Sequence, residues 1–140
     1  FNVPFGRYVN PGICDEENLR AASAALQRAR IEARPFETVL DCAKRGDLVY
    51  FDPPYDPISR TSSFTSYDKG NFGDENQRRL ARVAEDLGRK GVRVLLSNSM
   101  TPFVQRLYAS FTIDEVFASR HVNSRGDRRG KVSEALIRNF

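Results

Sequence analysis

The amino-acid sequence predicts an α/β fold, a mostly parallel sheet covered by helices, on three observations. Apolar runs of strand length alternate with helical periodicity in the order strand, helix, strand, helix, strand, strand. The first run, Leu48-Val49-Tyr50-Phe51, is closed by Asp52-Pro53-Pro54, as prolines close a strand. Gly91 separates a strongly amphipathic stretch from the next apolar run, where the chain needs a left-handed residue to leave a helix.

Each element has its own signal. Asp15 can cap a helix carrying Leu19, Ala22, Leu26 and Ala29 on one face, and Arg34-Pro35 ends it because a residue before proline avoids the helical region. Phe36, Val39, Leu40 and Ala43 have the spacing of a short second helix that stops at Gly46, and residues 48–51 follow as a buried strand. From residue 56 to 73 Ser, Thr, Asp, Asn and Gly prevail without a sustained period, which in a compact domain usually means a functional loop. Asp74 is the expected cap of the clearest helix. Its apolar stripe is Leu80, Val83, Ala84 and Leu87, with Arg78, Arg79, Arg82 and Arg89 off it. Val92-Arg93-Val94-Leu95-Leu96 reads as a strand, Thr101-Pro102 as cap and first-turn proline of a helix through Tyr108, and residues 111–117 and 134–140 as strands. Ligands of such sheets bind beyond the carboxyl ends of the strands, where Asp52 and Asn98 stand.

Composition narrows the class. A chain of 140 residues, 40% hydrophobic and 29% charged, is ordinary for one globular domain. At about this length roughly 68–70% of the unfolded surface is removed from water, so no metal or disulfide is needed to hold the fold. Cys14 and Cys42 form no C-x-x-C pair and His121 is the one histidine, which argues against a zinc site or disulfide framework and for a reducing, cytoplasmic setting. No apolar run approaches the roughly 18 residues of a membrane span. The net charge of +4 permits an anionic partner without demanding one. The chain opens on Phe1 and its single methionine is Met100, which points to a longer polypeptide.

Asp52-Pro53-Pro54-Tyr55 is the most informative string. At about 5% usage per residue type, a given four-residue string arises by chance in on the order of one such chain per thousand. A Pro-Pro turn with a capping aspartate is the bland alternative, and it gives no reason for an aromatic at a strand's carboxyl end. Chemically, consecutive prolines lack N–H groups and hold an extended backbone, so the Pro53 carbonyl can face a pocket as an acceptor, with Asp52 as a second one. An exocyclic aromatic amine is a poor nucleophile because its lone pair is delocalised into the ring. Two acceptors on its two N–H bonds localise that pair, and Tyr55 can stack on the ring, a form of catalysis by preorganisation.

Five blocks, Phe1-Asn2-Val3-Pro4-Phe5-Gly6-Arg7-Tyr8, Leu48 through Tyr55, Phe64-Thr65-Ser66-Tyr67, Leu95-Leu96-Ser97-Asn98 and Lys131-Val132-Ser133-Glu134-Ala135-Leu136, together resemble the Dam-type DNA adenine N6-methyltransferases, in the family's order. The resemblance implies a Rossmann-like class I methyltransferase sheet, mostly parallel with helices on both faces, here lacking the N-terminal strands. It implies S-adenosylmethionine as cofactor and double-stranded DNA as partner, with a flipped adenine as substrate. Asp52 and Pro53 then bind the adenine amino group within the catalytic Asp52, Pro53, Pro54, Tyr55 motif, and Tyr55 stacks on the base. Asp52 also stands at the cofactor, and Phe36, in a less similar block, matches an aromatic beside the cofactor's adenine. The family's lysine-bearing N-terminal motif and Phe-x-Gly-x-Gly turn are missing, and the nine glycines include no Gly-x-Gly. The chain therefore resembles the C-terminal half: residues 1–14 the end of the target-recognition region, residues 15–140 the C-terminal part of the catalytic domain.

Asn2, Arg7 and Tyr8 match a segment that lies against DNA in the family. Ser59, Thr61 and Ser62 offer hydroxyls to phosphate oxygens, or form a polar loop. Arg120, His121, Arg125, Arg128, Arg129 and Lys131 stand against one acid, Asp127, in a stretch with Gly126 and Gly130, which favours phosphate binding over a solvated face. Two functions remain in view, a DNA adenine methyltransferase and a truncated, non-catalytic fragment with residual DNA binding. Methylation of a protein or RNA amide or amine is a third, opposed by the aspartate of the motif and by the block at residues 1–8. The full-length enzyme is expected to be monomeric, whereas the isolated chain is expected to self-associate through the edge of the 48–51 strand or to rearrange locally over it.

Overall fold

The computed structural model describes residues 14–58, 72–119 and 131–140. Their sheet is built of β1 (Leu48–Phe51), β2 (Arg93–Ser99), β3 (Thr112–Ser119) and β4 (Lys131–Arg138), in the spatial order β1-β2-β4-β3. β1 pairs parallel with β2, whereas β4 pairs antiparallel with both β2 and β3. The sheet is therefore mixed, which corrects the mostly parallel expectation. β1, β2 and β3 run in one direction and the reversed β4 lies between two of them. Periodicity shows that residues in this region form strands, but not that the last strand inserts beside β2. Burial accounts for the insertion: Ala135 and Ile137 of β4 are fully buried at its centre, while Phe117 of the outer β3 is 66% exposed.

The helices follow from local sequence. Contacts divide the chain into two units, Phe1–Arg34 and Pro35–Phe140. In the first, α1 (Glu16–Leu26) starts where the Asp15 carboxylate accepts from Asn18 N at 3.1 Å, with Glu16 and Glu17 at the positive end of the helix dipole. It stops at Leu26, short of Ala29, and Leu19 and Leu26 of its stripe are 61% and 51% exposed. In the second unit, a 3-10 turn (Phe36–Thr38) runs into α2 (Val39–Cys42), and Gly46 at φ +91° turns the chain into β1. Cys14 and Cys42 are free thiols.

α3 (Asp74–Arg89) buries Leu80, Val83, Ala84 and Leu87, as its periodicity requires, together with Gln77. Gly73, not Asp74, is its N-cap, and Asp74 instead places its charge in the first turn. α4 (Pro102–Leu107) starts at Thr101, whose hydroxyl accepts from Val104 N at 3.2 Å. Leu80, Leu87, Val94, Leu96, Val104 and Ile137 join in one core. No helix among the described residues is long and apolar enough to cross a membrane.

The end of α3 fixes where β2 begins. Val92 N donates to Leu87 O at 3.0 Å and Gly91 N to Gly88 O at 2.9 Å, the paired bonds that close a helix through a left-handed residue, here Gly91 at φ +76°. A Cβ on Gly91 would also stand 3.1 Å from Arg45 Cγ, a flexible neighbour that can move, so the backbone conformation sets the cost. Gly91→Ala is expected to lower the unfolding free energy in urea by about 1–2 kcal/mol. An unchanged denaturation midpoint would contradict this.

Candidate active site

Parallel pairing builds the site. Leu48 lies opposite Arg93 and Phe51 opposite Leu96, so β1 ends three residues before β2 does and Asp52 emerges beside Ser97. Ser97 Oγ donates to Asp52 Oδ1 at 2.9 Å, and the Tyr50 hydroxyl lies 3.0 Å from the same Oγ. A serine hydroxyl has one hydrogen and Asp52 takes it, so Tyr50 is the donor to Ser97. Alternation along the strands puts Tyr50 and Ser97 on one face of the sheet and Phe51, Leu96 and Asn98 on the other, towards α3. Asp52 is exposed on the Ser97 face, and among the described residues its Oδ2 has no hydrogen-bond partner.

The opposite face holds the backbone of the turn. Asn98, fully buried, accepts at Oδ1 from Asp56 N at 2.9 Å and from Ser99 N at 2.8 Å. Its Nδ2 donates to Gln77 Oε1 at 3.1 Å, and Gln77 Nε2 donates to Pro54 O at 2.9 Å. Thr101 Oγ1 donates to Asp56 Oδ2 at 2.6 Å. The carbonyl of Pro54 and the amide of Asp56 are thus both occupied. Among the described residues nothing donates to the carbonyl of Pro53.

Tyr55 lies half-buried between these anchors. Burial pushes its phenol above the ordinary 10.0, and the nearby Glu134, Asp52 and Tyr50 add to that rise. Glu134 is paired opposite Ser99, on the Ser97 face, so Tyr55 and Asp52 share that face. A folded-state value above the unfolded one means that the native state holds the proton more tightly. The resulting stability is complete below pH 10.0 and is lost as pH rises through the folded value. Titrated by ultraviolet absorbance against Tyr55→Phe, Tyr55 should ionise above pH 10.0. A midpoint at or below pH 10.0 would contradict the placement.

Of the sequence candidates, Asp52, Pro53, Pro54 and Tyr55 form this turn. Phe36 lies apart from it in its contacts. Its ring meets Phe72 edge-on at 6.1 Å, and the Arg79 guanidinium stands 5.6 Å above it and pairs with Glu37. Asn2, Arg7, Tyr8, Ser59, Thr61, Arg125, Arg128 and Arg129 lie outside the described residues. Sequence reasoning missed the supports of the turn: Tyr50, Ser97, Gln77 and Thr101. One of them had a signal. Gln77 precedes Leu80, Ala84 and Leu87 at helical spacing, and a polar residue on an otherwise apolar stripe needs a buried partner.

Comparison with known proteins identifies the family. Residues 1–122 match the D12 class N6 adenine-specific DNA methyltransferase family. A type II methyltransferase of Methanocaldococcus jannaschii is 45% identical over all of this chain and 49% of its own length. The DNA adenine methylase of Escherichia coli K12 is 37% identical over 97% of this chain and 49% of its own length. The DNA N-6-adenine-methyltransferase of Escherichia phage P1 is 36% identical over 97% of this chain and 18% of its own length. The chain spans about half the length of the first two of these relatives. Matched over most of its residues and carrying Asp-Pro-Pro-Tyr at the carboxyl end of β1, the chain belongs to the D12 class N6 adenine-specific DNA methyltransferase family.

Proposed function

We propose that this chain supplies the base-binding part of an S-adenosylmethionine-dependent DNA methyltransferase that acts on the N6 amine of an adenine flipped out of double-stranded DNA. The observation that carries the reading is the pattern of hydrogen bonds in the turn. Asp52 Oδ1, the Pro54 carbonyl and the Asp56 amide are each engaged, while Asp52 Oδ2 and the Pro53 carbonyl have no donor among the described residues. Two adjacent acceptors suit the two N–H bonds of one aromatic amine. Holding both bonds draws the nitrogen lone pair out of conjugation, and the Asp52 carboxylate stabilises the positive charge that builds on nitrogen during transfer. Tyr55, whose phenol keeps its proton at neutral pH, offers a neutral ring for the base to stack on.

The cofactor supplies an electrophilic methyl group carried on a sulfonium. Phe36 and Asp52 would hold it, an aromatic face for a purine ring and a carboxylate for a cationic ligand, which fits the donor chemistry present. On the same reading, residues 1–14 end the target-recognition region and residues 15–140 form the C-terminal part of the catalytic domain, in a cytoplasmic enzyme. Asn2, Arg7, Tyr8, Ser59, Thr61, Arg125, Arg128 and Arg129 contact DNA, mainly its phosphates. β1 is an outer strand of the described sheet with Leu48 58% exposed, which supports self-association of the isolated chain through that edge.

In the polypeptide as its gene encodes it, Asp52→Ala should reduce methyl transfer to DNA by about 10²–10³-fold while the far-ultraviolet circular dichroism is preserved. Retention of more than about a tenth of the rate would overturn the role of Asp52. Neutralising Arg125, Arg128 and Arg129 together should weaken DNA binding nearly uniformly across sequences and flatten its dependence on salt by roughly one phosphate contact per engaged side chain. An unaltered salt slope would instead make these arginines a solvated face.

A further inference from the structure

We infer that Gln77 and Asn98 are positioning residues that set the direction of Tyr55 by gripping both peptide groups that flank it. This rests on the reading of Tyr55 as the stacking residue and adds how its direction is fixed.

The two amides form a chain whose polarity is determined at one end. Two backbone N–H groups, of Asp56 and Ser99, both point at the Asn98 side chain, so its oxygen must face them and its NH2 must face Gln77. Gln77 therefore presents its oxygen to Asn98, which leaves its NH2 to donate to Pro54 O. At 2% and 0% exposure, neither amide can exchange a lost partner for water.

Pro54 O belongs to the peptide before Tyr55, and Asp56 N to the peptide after it. With both planes held, φ and ψ of Tyr55 are held too, and its side chain leaves the backbone in one direction. The tether acts on the face of the sheet opposite Asp52, and so it positions the turn without occupying the base's side.

The test is a double-mutant cycle between Gln77→Met and Tyr55→Ala in the polypeptide as its gene encodes it. Its readouts are the fluorescence of 2-aminopurine at the target position and kcat for an unmodified target. Gln77→Met nearly preserves volume and removes both of the glutamine's bonds. Alone it should cut kcat on the order of 10–10²-fold, with a much smaller effect on KM for DNA, and reduce stacking on 2-aminopurine. In the Tyr55→Ala background its effect should shrink to about twofold or less, because a residue acting through Tyr55 has nothing left to direct. Equal losses in both backgrounds, or no loss in either, would overturn the inference. If Gln77→Met does not fold, Gln77→Leu, which also removes both bonds without burying a charge, carries the same cycle. Asp52→Ala, run in parallel, separates the two claims. Full activity there sinks the catalytic reading, whereas the stacking signal, which needs no methyl transfer, still decides the grip on Tyr55.

Discussion

Because β1 runs parallel to β2 with Phe51 opposite Leu96, β1 ends beside the last residues of β2 and Asp52 meets Ser97 there. Every contact of the turn depends on that register. A slip of one residue would send Ser97 to the α3 side and Asn98 to the Asp52 side, exchanging the hydroxyl that holds a carboxylate for the amide that holds the backbone. The register is pinned from within the core. Val94 and Leu96 are fully buried beneath α3, and placing Arg93 and Leu95 there instead would bury a charge.

The turn divides its labour between the two faces of the sheet. On the α3 side, Gln77 and Asn98 are buried, and an amide left without its partner there costs about 1–3 kcal/mol. That penalty makes the network close to all-or-none and gives the turn a single shape. On the other side, Ser97, itself bonded by Tyr50, holds one oxygen of an exposed Asp52, where water can compete and the structural worth of the bonds is small. Ion pairs on exposed surface, such as Arg20 with Glu16, add at most about 1 kcal/mol and do not shape the site. Rigidity thus comes from the buried face, which leaves the exposed face free to present chemistry.

Sequence periodicity made the scaffold legible wherever a pattern is local. The Asp15 and Thr101 caps, the Leu80 to Leu87 stripe, Gly91 and the strand before Asp52 each carry their signal within a few residues. The pairing of β4 between β2 and β3 carries none, because alternation shows that a run is a strand and not which strand it joins. On α1 the periodicity likewise marked Leu19 and Leu26 as an apolar face, and both are largely exposed, since a stripe does not name what covers it. In the site, Asp-Pro-Pro-Tyr was readable because prolines and an aromatic in that order have few other uses. Ser97 and Gln77 were not assigned roles because their partners, Asp52 and Pro54, lie far away in the chain and meet them only once the sheet has formed.

Asp52 Oδ2 and the Pro53 carbonyl have no donor among the described residues, and on the proposed reading the two together hold one exocyclic amine. A crystal structure of the polypeptide as its gene encodes it, bound to target DNA and a non-transferable analogue of the methyl donor, measures this directly. The adenine N6 should lie about 2.7–3.2 Å from both atoms, with the Tyr55 ring stacked on the base. An N6 more than about 4 Å from either acceptor, or a base that leaves the Tyr55 ring unstacked, would contradict the assignment of this turn as the amine-binding site.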